Sequence, residues 1–311
     1  MYDPTKPYKK QVLDLIKQTW NTKYISVKEG IYPVFERKFS YSEVDHTDGI
    51  GTKGIYHWQQ KTFRNAVLDA LAMNLNDLIL VGAHPYKLQN HIIIPEDNQE
   101  IILEIIENLK EECQKRNIAI TGGETSVQDN IKGLDISLTV SGFIKKPQIN
   151  SPQIEDVIIG VKSSGLHSNG FTKIREVFGD EYRAEFVKPT HIYSDTIPPL
   201  LEKYEIHGMM HITGGAFTKL KDNLFNANIR ITRNSILKPQ EIFYEIYKKG
   251  VSDEEMYKIF NCGIGFILSV SPKDKDNILM KIDDAAVIGK VEQGSGQIII
   301  ESAFSDRIIK F

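Results

Sequence analysis

Residues 48–53 combine, within one short segment, the side chains that a metal-bridged phosphate site requires. Their sequence, Asp-Gly-Ile-Gly-Thr-Lys, supplies a carboxylate, two glycines, a hydroxyl and an ammonium group. A hard cation such as Mg²⁺ takes carboxylate and phosphate oxygens together, and glycines let the backbone approach a phosphate closely. Three more glycine segments follow, at residues 122–125, 164–170 and 211–215. Four segments of this kind predict an enzyme that uses a nucleotide.

The composition limits the class of protein and of partner. With 311 residues, 41% of them hydrophobic and 25% charged, the chain is long enough for two ordinary domains. A net charge of −3 gives no general reason to expect a nucleic acid or an anionic membrane as partner. The amino terminus is polar, and no apolar run approaches the roughly 20 residues of a membrane span. We therefore expect a cytoplasmic enzyme, with Cys113 and Cys262 as packing thiols.

Hydrophobic periodicity predicts the elements that position these segments. Residues 63–80 are typical of a buried helix, on which Asp69 and Asn76 share a face and Asp77 lies about 80° round the axis. Residues 98–116 are typical of a surface amphipathic helix. Strands are predicted at 118–121, 134–144 and 156–162, with the Gly-Gly-Glu-Thr segment as a loop after the first of them.

The domain organisation follows from one break in the pattern. Residues 145–152 contain two prolines and interrupt the periodicity, which is typical of a domain boundary. We predict an α+β protein with an N-terminal domain at 1–147 and a C-terminal domain at 148–311. Residues 21–41 show no clear period, so no element is predicted there.

A dinucleotide-binding motif is the main competing interpretation of the first segment. Gly49, Gly51 and Gly54 satisfy G-x-G-x-x-G, and Asp69 lies about 20 residues further on, where such folds place the acid that binds a ribose. However, the preceding residues are acidic rather than apolar, and Asp48 would repel a bare pyrophosphate. An oxidoreductase with a nicotinamide cofactor is therefore disfavoured.

Seven ordered segments resemble one family of enzymes. They are DGIGTK from Asp48, DALAMNLNDLILVGAHP from Asp69, GGETS from Gly122, SSGLHSNGF from Ser163, PTHIY from Pro189, HITGG from His211 and EMYKIFNCGIG from Glu255. In this order they are similar to the aminoimidazole ribonucleotide (AIR) synthetases, or phosphoribosylformylglycinamidine cyclo-ligases, over about residues 47–291. The resemblance implies an N-terminal mixed sheet with helices that dimerises and a C-terminal α/β sandwich.

The resemblance also implies a reaction in purine biosynthesis. Formylglycinamidine ribonucleotide would be closed to AIR, with release of ADP and phosphate. An amide oxygen is a poor leaving group, so phosphoryl transfer from ATP would activate it before an internal nitrogen displaces the phosphate. Both steps depend mainly on positioning and charge stabilisation. The implied cofactors are ATP and Mg²⁺, with a monovalent cation left open, and the implied partner is a second copy of the chain, with ATP near the interface.

Carried over position by position, the resemblance assigns the nucleotide site to the first half. Asp48, Asp69, Asp77 and Glu124 would lie near Mg²⁺, and Lys53 near phosphate. On a continuous helix Asp69 and Asp77 are about 12 Å apart along the axis, so one ion cannot bind both. Either more than one ion binds, or the helix ends before Asp77. The implied ATP contacts are Asp48, Thr52, Lys53, Asp69, Asn76, Asp77, Gly122, Gly123, Glu124 and Thr125.

The second half would hold the substrate. Thr213, Gly214 and Gly215 would offer backbone amides at a helix start to the ribonucleotide phosphate, and Asn261 would orient the substrate from the last loop. The residues implied to contact substrate or transferred phosphate are Ser164, Gly165, His167, Ser168 and Asn169, and those implied as catalytic are Asp48, Lys53, His167 and Asn169.

Simpler interpretations remain beside these assignments. Asp69 and Asp77 alone would be a solvated helix face or a cap, and the Gly-Gly-Glu-Thr segment a tight turn with Glu124 in water. His167, followed by Ser-Asn-Gly, would be turn chemistry. The family's glycine-rich N-terminal segment over the nucleotide has no counterpart in residues 1–47, which contain only Gly30. Residues 28–30 are a hypothetical replacement, which an unchanged ATP affinity in Lys28→Ala would reject.

Other functions stay open at this point. Selenophosphate synthetase, thiamine monophosphate kinase and the hydrogenase maturation factor belong to the same superfamily and also use ATP on a poorly reactive group. The selenium enzyme and the hydrogenase factor typically carry a reactive residue near one terminus, which this chain lacks. A catalytically silent binding homologue is the alternative from another class. ATP hydrolysis that depends on formylglycinamidine ribonucleotide would separate these readings.

Overall fold

The computed structural model describes residues 8–30, 32–234 and 236–311, and the side chains of all of these except 222 and 223. Residues 1–7 of the polar amino terminus lie outside this description. The chain divides into two compact units. The first comprises residues 1–78 and 83–146, and the second comprises Ile79–Gly82 and Pro147–Phe311. Among the described residues, no helix is long and apolar enough to cross a membrane.

The first unit is built on a four-stranded sheet. The helices of this unit are α1 (Lys9–Lys17), α2 (Gly54–Gln60), α3 (Phe63–Leu78) and α4 (Gln99–Arg116), with a 3₁₀ turn at Gly51–Lys53. The unit has six strands, β1 (Ile25–Lys28), β2 (Val34–Arg37), β3 (Ser42–Gly49), β4 (Ala83–Ile94), β5 (Ala119–Val127) and β6 (Asp135–Ile144), of which β1 and β2 form a separate hairpin. The sheet order is β3-β6-β4-β5, and only β4 and β5 are parallel. The fold is therefore α+β with a mixed sheet, as expected.

The two long helices confirm the periodicity of their sequences. Helix α3 buries most of its residues, including the polar Asp69 and Asn76. Helix α4 begins after Asn98, whose side chain accepts a hydrogen bond from the backbone N–H of Ile101 at 3.2 Å, and it buries one apolar stripe. Helix α3 packs on β3 and β6, and α4 packs on α3 and β5. One face of the sheet is thus covered by these helices.

Residues 21–41, which gave no prediction, contain a two-stranded antiparallel hairpin. Strands β1 and β2 pair with Ile25 opposite Arg37. Phe39, just after the hairpin, packs at 4.4 Å between ring centroids on Phe143 of β6. Residues 28–30 are the hypothetical replacement for the segment over the nucleotide. Lys28 ends β1, and Glu29 forms an ion pair with Lys17 at 2.8 Å. The hairpin is held by tertiary contacts that a local sequence pattern does not record.

One segment predicted as a loop is a strand. The Gly-Gly-Glu-Thr segment lies inside β5, which continues to Val127. That prediction was wrong because an edge strand with one solvated face carries polar and glycine residues without losing its ladder hydrogen bonds. The acidic residues before Gly49, for which no element was predicted, form β3, a strand with no buried residue.

The second unit is built on a seven-stranded sheet in the order β13-β12-β9-β11-β7-β10-β8, parallel only between β12 and β9. Its strands are β7 (Val157–Lys162), β8 (Ile206–His211), β9 (Ala227–Ile231), β10 (Ile264–Val270), β11 (Ala285–Gln293), β12 (Ile298–Glu301) and β13 (Ile308–Lys310). Its helices are α5 (Phe171–Phe178), α6 (Pro198–Leu201), α7 (Glu241–Lys248), α8 (Asp253–Ile259) and α9 (Lys275–Leu279). A 3₁₀ helix, Ala216–Asn223, follows the glycines after β8. All residues of β10 are buried, and Phe266, Leu268 and Val270 of this strand belong to the hydrophobic core.

Candidate active site

Lys53, His57 and Asp69 form a buried polar group in the first unit. The Lys53 Nζ atom lies 2.9 Å from Asp69 Oδ1 and 2.8 Å from Asp69 Oδ2, and His57 Nε2 lies 2.8 Å from Asp69 Oδ2. All three side chains are fully buried. Thr62 Oγ1 lies 2.8 Å from His57 Nδ1, so a neutral His57 that accepts from Thr62 and donates to Asp69 satisfies both ring nitrogens.

Burial and charge act in opposite directions on these three side chains. Burial alone would raise the pKa of Asp69, but Lys53 and His57 together hold it below its usual range. Burial lowers the pKa of Lys53 and the pKa of His57, in both cases against the opposing effect of Asp69. The distances are those of a lysine–carboxylate ion pair with a neutral imidazole that donates to the same carboxylate.

This geometry changes the interpretation of two predicted site residues. Asp69 has both carboxylate oxygens engaged by Lys53 and His57, and neither Asp69 nor Lys53 is exposed to a ligand. The structure thus favours a role in holding residues 48–53 against α3, and direct contacts of Asp69 with Mg²⁺ and of Lys53 with phosphate stay predictions. His57 was missed, although it lies four residues after Lys53 and so shares its helical face.

A second polar cluster links the end of β3 to α3. His46 Nδ1 lies 3.0 Å from Asn74 Oδ1, and His46 Nε2 lies 3.5 Å from Asp77 Oδ2. Asn74 Nδ2 donates to the backbone carbonyl of Asp48 at 3.0 Å, and Asp48 Oδ1 accepts from the Gly49 N–H at 2.7 Å. The predicted residues Asp48 and Asp77 therefore belong to one cluster, joined by His46 and Asn74, which sequence reasoning had not assigned.

The charge state of His46 gives a direct test of this cluster. The hydrogen bond to Asp77 is the main reason why the pKa of His46 is raised, against the effect of its burial. Its contribution to stability is complete below the ordinary pKa of about 6.5 and is lost as the pH rises through the raised value. In an NMR titration we expect Asp77→Asn to lower the His46 pKa. A wild-type value at or below 6.5 would contradict the described geometry.

Glu124 does not join the other carboxylates. Along the sheet, Asp48 pairs with Leu138 and Glu124 pairs with His91. Side chains alternate between faces, so Asp48 lies on the helix-covered face and Glu124 on the open face, about 14 Å apart across three strand spacings. Helix α3 also continues to Leu78, which excludes a helix end before Asp77. The alternative of a helix that ends before Asp77 is therefore wrong, and binding of more than one ion by these carboxylates stays a prediction.

The chemistry of the remaining donors still fits a divalent cation that is shared with a nucleotide. Within the described part of the chain, no three His, Cys, Asp or Glu side chains form a metal-binding group. Mg²⁺ typically takes one or two carboxylates and completes its shell with phosphate oxygens and water. Asp48 and Asp77 supply two carboxylates of one cluster, and Thr52 beside them is exposed. These residues fit such an ion only together with its nucleotide.

Asn90 of β4 explains Gly123 of β5. Its side chain is 6% exposed, and its Nδ2 atom has no hydrogen-bond partner among the described residues. A Cβ atom on Gly123 would lie 2.6 Å from that nitrogen, so only glycine fits beside it. Gly122 and Thr125 are half-buried on the same strand, and Asn76 is fully buried in α3. Asn90 carries an unused donor and was missed by the sequence analysis.

In the second unit the structure brings the predicted substrate loops together. Asn261 Nδ2 donates to the carbonyl of Gly165 at 2.8 Å, which joins the loop between α8 and β10 to the loop after β7. The loop after β8 is joined in turn, because the Ile212 N–H donates to the carbonyl of Gly265 at 2.9 Å. A Cβ atom on Gly214 would lie 3.4 Å from Asn169 Oδ1. Three segments far apart in sequence therefore form one surface.

Hydrogen bonds also fix the serines of the first of these loops. Ser164 Oγ donates to the Pro189 carbonyl at 2.5 Å, and Ser168 Oγ lies 3.1 Å from Thr190 Oγ1. The Pro-Thr-His-Ile-Tyr segment is thus the support of the Ser-Gly-Leu-His-Ser-Asn-Gly loop. This pairing was not predicted.

His167 lies beneath the loop surface. It is fully buried with a φ of +61°, a left-handed conformation typical of a turn. Its Nε2 atom accepts a hydrogen bond from the Ser164 N–H at 3.2 Å, and a Cβ atom on Gly265 would lie 2.5 Å from its Cε1 atom. These contacts favour the turn interpretation, and a catalytic role for His167 stays a prediction.

Each of the two units matches a domain of one known protein family. The profile described as AIR synthase related protein, N-terminal domain, matches residues 38–144, and the C-terminal domain of the same description matches residues 153–301. The chain therefore belongs to the AIR synthase related family.

Among its relatives, the phosphoribosylformylglycinamidine cyclo-ligase of Saccharolobus solfataricus is 34% identical over 305 residues, which covers 93% of this chain and 90% of the relative. The enzyme of the same name from Sulfurisphaera tokodaii is 38% identical over 264 residues, 81% of this chain and 80% of the relative.

Solved structures share the fold at low identity. Hydrogenase maturation protein HypE in complex with ATP superposes with a TM-score of 0.71 at 15% identity, covering 99% of this chain and 95% of that one. Thiamine-monophosphate kinase from Stenotrophomonas maltophilia superposes with a TM-score of 0.68 at 14% identity, covering 97% of this chain and 98% of that one. At these identities the likeness concerns the fold alone.

Proposed function

We propose that this chain is a phosphoribosylformylglycinamidine cyclo-ligase that closes formylglycinamidine ribonucleotide to AIR in cytoplasmic purine biosynthesis. The observation that carries the proposal is the identity of 34% and 38% to two enzymes of that name over most of both chains. The geometry adds support, because the loops expected to hold the substrate meet on one surface. The fold alone would not choose among ATP-dependent members of the superfamily.

The second unit would bind and orient the ribonucleotide. Asn169 Nδ2 is buried and has no hydrogen-bond partner within the described residues, so it can donate to an oxygen of the substrate. His167 would keep Ser164 in place through its hydrogen bond to the Ser164 N–H. Holding the formyl group and the attacking nitrogen in register is the main contribution that such a surface makes to ring closure.

The first unit would bind ATP. The Lys53–Asp69 pair would hold residues 48–53 in shape, the exposed Thr52 would contact the triphosphate, and Asp48 and Asp77 would face it through the Mg²⁺ that it carries. A bound Mg²⁺ would supply charge neutralisation on the phosphates. If Asp77 turns toward that ion, Mg·ATP will lower the pKa of His46, which an NMR titration detects without turnover.

We also propose that two copies of the chain associate through the open face of the four-stranded sheet. Helices α3 and α4 cover the other face, whereas Thr47, Gln89, His91 and Glu124 on this face are exposed. A second copy would cover these strands and bring Glu124 into an interface. Analytical ultracentrifugation that gives only the monomer mass, about 35 kDa, would contradict the dimer.

The test of the function is acceptor-dependent ADP release. Purified protein with Mg·ATP is assayed alone, with formylglycinamidine ribonucleotide, and with thiamine monophosphate. We expect ADP to appear only with the first acceptor, together with the imidazole product. ADP release with thiamine monophosphate would assign the chain to the kinase, and ATP binding without turnover would identify a silent homologue.

A further inference from the structure

His191 lies among the loops that are expected to contact the substrate. Thr190, its neighbour in the chain, has its Oγ1 atom 3.1 Å from Ser168 Oγ. On the other side, the Tyr193 hydroxyl donates to the carbonyl of Lys162, the last residue of β7, at 2.7 Å. The His191 ring packs on the Tyr193 ring, with 4.7 Å between the centroids. The imidazole is therefore held at the end of the seven-stranded sheet where the loop after β7 begins.

Exposure distinguishes His191 from the other histidines of the second unit. His167 and His211 are both buried. His207 contacts the buried Asp156 carboxylate near the start of β8, with 2.8 Å between Nδ1 and Oδ1. Among the described histidines of this unit, His191 is the exposed one, so it can meet a ligand that enters from solvent.

The surroundings of His191 favour a neutral imidazole at physiological pH. Partial burial lowers its pKa, against the opposing charges of Asp195 and Asp284. Asp284 also forms an ion pair with Lys162 at 3.5 Å. Burial raises the pKa of the Tyr193 phenol, so this neighbour does not titrate in the same range. A histidine whose pKa lies below its ordinary value of about 6.5 is a proton acceptor at neutral pH.

The proposed ring closure requires such an acceptor. The attacking nitrogen forms a bond to the formyl carbon, and the bond between that carbon and the phosphorylated oxygen breaks. Phosphate leaves with the bonding electron pair and takes the proton of the formamide nitrogen. The proton of the attacking nitrogen has to go to a base, and it is the one proton that the overall reaction releases. A later proton shift from the ring methylene carbon to the exocyclic nitrogen makes the ring aromatic and leaves this balance unchanged.

We propose that His191 is the general base that accepts the proton of the attacking nitrogen during ring closure and passes it to solvent. The proposal rests on the proposed function for the identity of the reaction. An imidazole suits this role better than the exposed carboxylates of Asp195 and Asp284. General-base catalysis is most effective when the pKa of the base lies near the operating pH, and that of a carboxylate is ordinarily about 4.

Two substitutions separate this role from a structural one. His191→Phe keeps an aromatic ring on Tyr193 and removes the proton acceptor, whereas His191→Ala leaves room for free imidazole. We expect both to lower kcat about 100- to 1000-fold, with the KM values for both substrates within about threefold of wild type. Free imidazole should restore part of the activity of His191→Ala and none of that of His191→Phe.

His84→Phe is the matched control. His84 is half-buried in the first unit and stacks on Phe143, with 5.3 Å between the ring centroids, so phenylalanine keeps the ring contact there as well. The kcat of His84→Phe should stay within about twofold of wild type, as for a substitution away from the site.

The pH dependence provides a readout that a structural role would not move. Wild-type kcat/KM should fall as the pH falls through the pKa of His191, because a protonated imidazole cannot accept a proton. The midpoint should match the His191 pKa from an NMR titration of the free protein, at a value below about 6.5. His191→Phe should lack this acid limb.

The outcomes distinguish this inference from the proposed function. Wild-type turnover with an unchanged kcat in both His191 variants would overturn the inference and leave the proposed function standing. A loss that imidazole does not restore, together with an unchanged acid limb, would do the same and assign His191 to structure. No aminoimidazole product from wild type would overturn the proposed function and the role of His191 with it.

Discussion

Asp69→Asn is expected to destabilise the protein by about 3–5 kcal/mol, because it leaves the Lys53 ammonium buried without a compensating charge. The Asp69 side chain is fully buried and engages two partners. Solvent therefore does not reach the Lys53 ammonium group to compensate for the lost carboxylate. Urea unfolding at neutral pH measures the change. Asp77→Asn is the control, since its partly exposed carboxylate should cost less than about 1 kcal/mol.

A double substitution separates structural from chemical roles of this pair. Lys53→Met together with Asp69→Asn removes both charges and keeps an oxygen that can accept the His57 Nε2–H. We expect it to recover most of the lost stability, because a neutral replacement of a buried pair is often tolerated. A folded double variant with normal activity would assign the pair to structure alone. A cost below about 1 kcal/mol for Asp69→Asn would contradict the buried geometry itself.

Protonation of Asp69 is expected to lower the stability of the protein at acid pH. The pKa of Asp69 is held below its ordinary value of about 3.9, so its contribution to stability is present above that pH and is lost as the pH falls toward the lower folded value. The unfolding free energy of wild type should therefore fall below about pH 4 more steeply than that of the neutral double variant.

Asp48→Asn is expected to lower kcat/KM for ATP by about 100- to 1000-fold, the scale found when a charge-stabilising group is removed from an active site. Asparagine retains an oxygen that can accept the Gly49 N–H, as Asp48 Oδ1 does at 2.7 Å, so the local fold is kept. The loss would therefore report the missing carboxylate charge. Steady-state kinetics with varied Mg·ATP measure it.

Two controls define the meaning of that result. Asp129→Asn removes an exposed carboxylate of the same unit that the proposed site does not use, and it should leave kcat/KM within about twofold. Urea unfolding should show Asp48→Asn within about 0.5 kcal/mol of wild type. An Asp48→Asn protein with an unchanged kcat/KM would remove Asp48 from the nucleotide site.

The sequence predicted those elements whose hydrophobic residues recur with helical spacing, and the boundary where this spacing is interrupted. Helix α4 has an apolar stripe and the capping residue Asn98, and α3 has a long run of Ala and Leu, so both follow from local rules. The β1–β2 hairpin and the strand around Gly122 do not, because their hydrogen bonds and aromatic contacts join residues far apart in sequence. Tertiary context decides such segments.

The site shows the same division. Motif resemblance indicated the segments that meet in the second unit, because a glycine loop keeps its composition when its fold is kept. It did not reveal that Lys53 and Asp69 neutralise each other with His57, since a pattern of residue types carries no distances. Strand alternation, which separates Glu124 from Asp48, became visible only when the Gly-Gly-Glu-Thr segment proved to be a strand.

The central claim, activation of the formyl oxygen by phosphoryl transfer, is tested most directly by oxygen labelling. Formylglycinamidine ribonucleotide with ¹⁸O in its formyl group is incubated with the protein and Mg·ATP, and the inorganic phosphate is examined by mass spectrometry. The account predicts that the label moves into phosphate as the imidazole ribonucleotide and ADP form in equal amounts. Unlabelled phosphate, or ADP without the imidazole product, would contradict it.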